Sequence, residues 1–420
     1  MAFGERAARV FPGGSNGNLE VGVVIKSGTG SRVKTTDGRE LIDFLMGSGP
    51  MILGHAHPAV SEAVERELRN GSTFFIPAAA AIELAEMIIE AVPCAEQVRF
   101  ATSGSEATAY ALRAARAYRR RDKILKFEGG YHGMHDYALM SMAPNVEAPF
   151  PKSVPDSPGI PRSICDEVLI VPFNDSSTFE DVLDRHQNEL AAVIIEPLQR
   201  MLPPAPGFLQ SVRDATAKYE IPLIFDEVVT GFRLAYGGAQ EYYGVVPDLC
   251  TLGKIVGGGF PLAAVAGRRE VMAAFDPKTN AKPVLQAGTL NGNPIAARAG
   301  IATLKILQTA GTYERLNAIG TNLRSRLTEV LASKTNRAQI VGEFPVFDVF
   351  FCSTPVIDYR SSRLANQARL DAMNEEMLAR GVLKGDTKFY VSLAHTDADI
   401  DETVAAFSAS IDATLARIPE

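Results

Sequence analysis

From Val98 onward, short apolar runs alternate with stretches of helical spacing, and this alternation is the tightest constraint on the fold. The runs are Val98–Phe100, Lys123–Phe127, Val168–Val171, Ala192–Ile195, Pro222–Phe225 and Leu262–Ala266. Between several of them lie helical patterns, at Ser105–Arg119, Phe179–Leu190 and Phe208–Tyr219. Strands that alternate with helices build βαβ units and a mostly parallel sheet. Runs without a polar alternation fit strands covered by helices on both faces. The chain is therefore expected to be α/β.

The flanks read differently. Gly28–Phe44 has the pattern of two short strands joined by a turn at Thr36–Arg39. Helical patterns follow at 57–68 and 77–92, and later at 294–308 and 313–333. The tail from Ala338 is mixed, with strands expected at Phe347–Phe351 and Phe389–Leu393 and helices at Arg369–Arg380 and Asp399–Ala416. This divides the chain into a large α/β domain 56–310 and a smaller α+β domain expected to combine the N-terminal segment 1–55 with the C-terminal part 311–420. The Pro/Ser/Gly-rich stretch 142–164 is long for an irregular connection, and such loops are often functional.

Composition excludes several classes of function. A net charge of −7 without a large basic block argues against nucleic acid. The cluster Arg116–Arg121 ends a helical pattern, where cations complement the helix dipole. There is no apolar run of membrane length and no secretory signal at the start. Four scattered cysteines form neither a disulfide framework nor a metal-ligand pattern, so no metal is expected and the cytoplasm is the expected compartment.

Three segments carry chemistry. Ser103-Gly104-Ser105-Glu106 follows a strand and opens a helix, where free N–H groups can hold a phosphate; an ordinary N-cap has the same look. Asp226 ends an apolar strand, where α/β sheets place ligands; a carboxylate capping the next segment is the plain alternative. Lys254 lies 28 residues later in a glycine-rich apolar setting. Burial there would give a nucleophilic amine, whereas a surface lysine in a turn is the simpler reading. Together the three meet the needs of pyridoxal 5′-phosphate (PLP): a phosphate anchor, an acid to keep the pyridine nitrogen protonated, and an amine to form the Schiff base.

The ordered motifs extend this. They include Phe11-Pro12-Gly13-Gly14, Gly49–His55 with His57-Pro58, Lys126–Gly133, Ser157–Pro161, Phe225–Arg233, Pro247-Asp248-Leu249 with Leu252-Gly253-Lys254, Gly288–Pro294 and Ser392–Thr396. On these the chain resembles class III aminotransferases of PLP fold type I, and within them the glutamate-1-semialdehyde aminomutase branch. The resemblance implies a mostly parallel, seven-stranded type of sheet and a homodimer with cofactor sites at its interface. Lys254 would carry the Schiff base, and Asp226 would pair with the pyridinium. Ser103, Gly104 and Ser105 would hold the phosphate, joined by Thr289 of a neighbouring subunit. Tyr131 and Val228 would face the two sides of the ring, and Glu196 would lie near its hydroxyl. His132 would join the cofactor set or simply bond backbone in a turn.

Departures from the branch fall on the substrate side. Glu20 stands where the aminomutases have a carboxylate-binding arginine. Gly49 replaces a tryptophan, which would enlarge the pocket. Lys384 and Lys388 are new cations, and the stretch Leu198–Met201 also departs. Glu20 could attract an amino group and Arg200 or Lys384 could take a carboxylate, with a solvated surface charge as the plain reading of each, at least as strong for Lys384 and Lys388. The expected activity is PLP-dependent amino transfer between an amine or amino acid, including β- or ω-amino, and a keto acid or aldehyde. The alternatives are the aminomutase itself, a PLP racemase and a PLP-fold protein that no longer catalyses.

Overall fold

The computed structural model describes residues 3–17, 19 and 22–419, and the chain forms two compact units. One is built from 59–313 with 356–362; the other from 1–58, 314–355 and 363–420. Residues 356–362 thus pack with the large unit although they lie inside the 311–420 stretch. No helix among the described residues is long and apolar enough to cross a membrane.

The large unit is organised by a seven-stranded sheet. In spatial order its strands are Gln97–Ala101, Ala263–Gly267, Leu249–Leu252, Leu223–Glu227, Leu190–Ile195, Lys123–Phe127 and Val168–Val171. Only Ala263–Gly267 runs against its neighbours. Every residue of the strands 168–171, 190–195, 223–227, 249–252 and 263–267 is buried, as expected for a sheet covered on both faces. The alanines Ala107, Ala111, Ala114 and Ala115 let helix Gly104–Arg119 lie close on the sheet beside Ile124, Ile194 and Val265. Strand Leu249–Leu252 was not expected. It has four residues, two of them Cys250 and Thr251, too short and mixed to stand out by pattern.

The loop expected at 142–164 is irregular but fastened within the large unit. The Asp156 carboxylate accepts the N–H of Met142 and of Ala143, the latter at 2.9 Å. Tyr359 donates to Pro144 O at 3.0 Å, and Arg360 to Ala148 O at 2.8 Å while pairing with Glu128 at 2.8 and 3.1 Å.

In the smaller unit the N-terminal ribbon has three strands, Ile25–Thr29, Arg32–Thr35 and Glu40–Asp43, where the sequence suggested two. Gly30, at φ +57, makes an extra tight turn. A second sheet joins Gln339–Glu343, Val346–Phe350 and Phe389–Tyr390. The expected strand at 389–393 stops after Tyr390, because Val391 and Leu393 donate instead to Pro345 O and Ile52 O. Its interior holds an ion pair, Lys384 Nζ to Asp348 Oδ1 at 3.1 Å, with both side chains 1% exposed. Burial pushes the Asp348 carboxyl up and the Lys384 ammonium down. Removing one partner of such a pair strands a buried charge, whereas removing both need not destabilise. Asp348→Ala is therefore expected to cost roughly 3–5 kcal/mol in denaturant unfolding. Asp348→Leu with Lys384→Met should restore most of that loss.

Candidate active site

The sheet register brings the chemistry-bearing residues to one edge. Asp226 pairs with Thr251, and Glu227 with Leu252. Leu252 pairs with Ala264, and neighbouring Ala263 with Ala101. The ends of three parallel strands therefore lie level, so Ser103, Lys254 and Asp226 emerge on the same side. Ile195 pairs with Phe225, which adds Glu196 beside Asp226. This is the carboxyl edge where open α/β sheets bind ligands.

Asp226 is 5% exposed and fully engaged. Thr251 Oγ1 donates to its Oδ1 at 2.9 Å, as does Val228 N–H at 3.2 Å. Its Oδ2 lies 2.9 Å from His132 Nδ1. The carboxylate faces that nitrogen, which assigns the donated proton to Nδ1. His132 is itself buried, and its carbonyl accepts Thr108 Oγ1 at 2.6 Å. Its other ring nitrogen, Nε2, is buried without a partner among the described residues. Both Thr251 and the His132–Asp226 link escaped the sequence reading. Thr251 would have been found from the register, had strand 249–252 been recognised.

The adjacent Glu227 points to the opposite side of the pleat. There it accepts Thr230 Oγ1 at 3.0 Å and the N–H groups of Ala239 and Gln240. Burial pushes its carboxyl up. Its work is to clasp the 228–238 loop, so of the two strand-end acids only Asp226 belongs to the site.

Lys254 follows Gly253 at φ +52, a left-handed backbone that costs a non-glycine residue about 1–3 kcal/mol. Val228 lies between two glycines. A Cβ on Gly104 would come within 3.0 Å of its Cγ1, and one on Gly253 within 3.1 Å. One valine therefore spaces the helix start, the residues after Asp226 and the turn bearing Lys254.

The helix start is a cradle with one revision. The Ser103 hydroxyl accepts Glu106 N–H at 3.3 Å, and Glu106 accepts Ser103 N–H at 3.0 Å, a full capping box. Ser103 Oγ also donates to Glu106 Oε2 at 3.4 Å, so that hydroxyl is spent on the helix. The N–H groups of Gly104 and Ser105 stand ahead of the intrahelical ladder and are the ones that could hold an anion. Ser105 Oγ accepts Met134 N–H at 3.0 Å, which leaves its own hydrogen to donate. Tyr131 N–H donates to Glu196 Oε2 at 2.8 Å, and the Arg200 guanidinium lies 5.3 Å from the Tyr131 ring centre. Thr289 is exposed in the turn before helix Pro294–Leu307.

Two expected substrate residues are corrected. Lys384 is buried in its ion pair and also donates to Asn374 and Gly385 O, so its charge is not available to a ligand. Gly49 does not open a pocket. A Cβ there would meet Tyr390 Cε1 at 2.9 Å, so the ring of buried Tyr390 occupies the side-chain space, and φ +110 demands glycine. Glu20 lies outside the described residues. The Ser392–Thr396 motif is structural within its unit: His395 stacks on Phe44 at 4.1 Å, and its Nδ1 accepts Ser392 N–H at 3.0 Å.

The site fits a phosphorylated pyridine aldehyde. It offers N–H groups for the phosphate, a buried carboxylate held by side chains for the ring nitrogen, and a lysine at the same edge. Gly253→Ala should press on Val228 and displace the Lys254 turn, at a cost of about 1–3 kcal/mol. Thermal unfolding with and without added PLP will show this, the liganded form losing more.

A family model described as Aminotransferase class-III matches residues 14–411. The glutamate-1-semialdehyde 2,1-aminomutase of Methanothermobacter thermautotrophicus is 42% identical over 411 residues, covering 96% of each chain. An omega-transaminase from Sphaerobacter thermophilus superposes with a TM-score of 0.93 at 37% identity, over 98% of this chain and 97% of its own. A transaminase with PLP bound gives 0.91 at 33%, over 99% and 97%. Sheet, site and similarity agree that this chain belongs to the class III aminotransferases, enzymes that work with pyridoxal 5′-phosphate.

Proposed function

We propose that the protein is an intermolecular aminotransferase that moves an amino group from an amine or amino acid to a keto acid or aldehyde. The observation that carries this is the engaged Asp226, level with Lys254 at one sheet edge. Bound PLP supplies a carbonyl that condenses with amines and a ring that accepts the electron pair released at the amine carbon. Asp226 holds a proton at the ring nitrogen, and Thr251 and His132 keep its oxygens aimed. Lys254 Nζ takes the proton from the amine-bearing carbon. Gly104 and Ser105 would hold the phosphate, Tyr131 and Val228 would face the ring, and Glu196 accepts the Tyr131 N–H that orients its turn.

The aminomutase is the second reading, favoured by the name carried by the relative at 42% identity. Against it stands Glu20, since an acid cannot pair with a substrate carboxylate at neutral pH. A shift of the cofactor's absorbance on adding an amine, with release of its carbonyl product, supports the transaminase. Conversion of glutamate-1-semialdehyde to 5-aminolevulinate without external amine supports the mutase.

We further propose a homodimer. A groove of about 960 Å³ on the large unit is lined by Phe75, Ile76, Ile82 and Ile89 and reaches Gly288 and Asn291. Phe75 is 72%, Ile76 74% and Leu285 81% exposed, an apolar surface that a second copy would cover. Asn291 Oδ1 lies 3.5 Å from Thr102 Oγ1, beside the cradle, so Thr289 sits where such a copy would meet a cofactor site. The four cysteines are unpaired, in keeping with a cytoplasmic enzyme.

Lys254→Ala is expected to abolish turnover while leaving the unfolding temperature near that of the parent. Asp226→Ala should slow turnover by roughly a hundred- to a thousandfold, and Thr251→Val by about tenfold. Phe75→Asp combined with Ile82→Asp should sediment as a monomer and lose PLP on dialysis.

A further inference from the structure

We infer that Arg200 is the receptor for a substrate carboxylate, so that the site takes an amino acid and a keto acid in preference to simple amines and aldehydes. This rests on the aminotransferase reading above and names its substrate class.

Arg200 stands at the corner of a tight turn closed by Gln199 N–H to Leu202 O at 3.1 Å and Leu202 N–H to Gln199 O at 2.8 Å. Its φ of +61 turns it out of line with its neighbours. Gln199, Met201 and Leu202 are buried, and Arg200 alone among them is half-buried. Gln199 Nε2 donates to Glu128 O at 2.8 Å, which fixes the turn to the loop carrying Tyr131 and His132. The turn begins just past Glu196, at the site edge of the sheet.

The acids nearby already have partners. Glu128 is paired with Arg360, Glu196 takes the Tyr131 N–H, Asp156 takes loop N–H groups, and Asp226 is held by Thr251 and His132. Arg200 makes no ion pair with any described residue, and its guanidinium lies over the Tyr131 face. Lys126, a further cation nearby, is fully buried and donates to Ala138 O and Met140 O at 2.6 and 2.8 Å. A partly desolvated guanidinium resting on an aromatic face, on an anchored turn, is a preorganised fork for a carboxylate.

The test uses holoenzyme and donor pairs that differ by a carboxylate in place of a methyl. They are alanine with isopropylamine, 3-aminobutanoate with sec-butylamine, and 4-aminobutanoate with n-butylamine. Parent enzyme is expected to favour the acid of at least one pair. Arg200→Gln should reduce that preference by roughly ten- to a hundredfold, mainly through KM, and Arg200→Lys should recover part of it. Unaltered cofactor absorbance and unfolding temperature would show that the variant folds. Persistence of the preference in Arg200→Gln overturns the inference. So does an equal fall for acid and amine, which would make Arg200 only a brace for Tyr131, and so does a parent enzyme that prefers the amines. Calorimetry with butanoate separates this from the underlying reading. Saturable binding that Arg200→Gln loses supports the receptor even if no donor reacts, in which case amino transfer alone fails. Binding equal in both proteins, or absent from the parent, rejects the receptor whatever the donors do.

Discussion

A carboxylate buried at a strand end is costly unless its oxygens are satisfied, and the rest of this site follows from how Asp226 is satisfied. One oxygen takes Thr251 from the next strand and the Val228 amide; the other faces His132 from the loop after Lys123–Phe127. Three separate pieces of chain are thereby referenced to one side chain. The sheet makes this possible, because in-register parallel strands deliver Asp226, Glu196 and the Lys254 turn to a common level.

Around that anchor the backbone is placed by close approach more than by hydrogen bonds. Val228 fills the gap between Gly104 and Gly253, so phosphate cradle and lysine turn share a spacer. Gly133, at φ +97, packs where a Cβ would lie 2.6 Å from Ser105 Cα, which seats the Tyr131–His132 loop on the cradle. The left-handed Lys254 adds strain that this packing must hold. Close packing of this kind holds dipoles in fixed directions, which is what electrostatic catalysis needs.

The smaller unit shows how the same sequence language serves stability. Ser392–Thr396 carries a histidine and two hydroxyls, yet the histidine stacks on Phe44 and accepts Ser392 N–H, while Ser392 Oγ donates to Ile52 O and Thr396 Oγ1 to Asp399. Burial drives the His395 imidazole down to about 4, so it is neutral at physiological pH. Asp399 caps the last helix and takes Ser31 Oγ at 2.8 Å and Arg32 at 2.8 Å, tying that helix to the N-terminal ribbon.

Fold class and cofactor were legible in the sequence, and so was the placing of Lys254 and Asp226 at one sheet edge, because each depends on local signals: apolar runs, helix openings, a strand-end acid and a lysine among glycines. Strand Leu249–Leu252 was not, and with it went Thr251, since a buried threonine acquires a partner only through register. Ser103 looked like a phosphate ligand, but its hydroxyl went to Glu106. Gly49 looked like added space, but the space belongs to Tyr390, 341 residues away in the chain. Lys384 and Arg200 were both candidates for a substrate carboxylate; Lys384 is buried against Asp348, whereas Arg200 is half-buried over the Tyr131 ring. Residue type and spacing decide what chemistry a chain can perform. Which of its charges and cavities remain available depends on which distant side chains reach them first, and only the tertiary structure settles that.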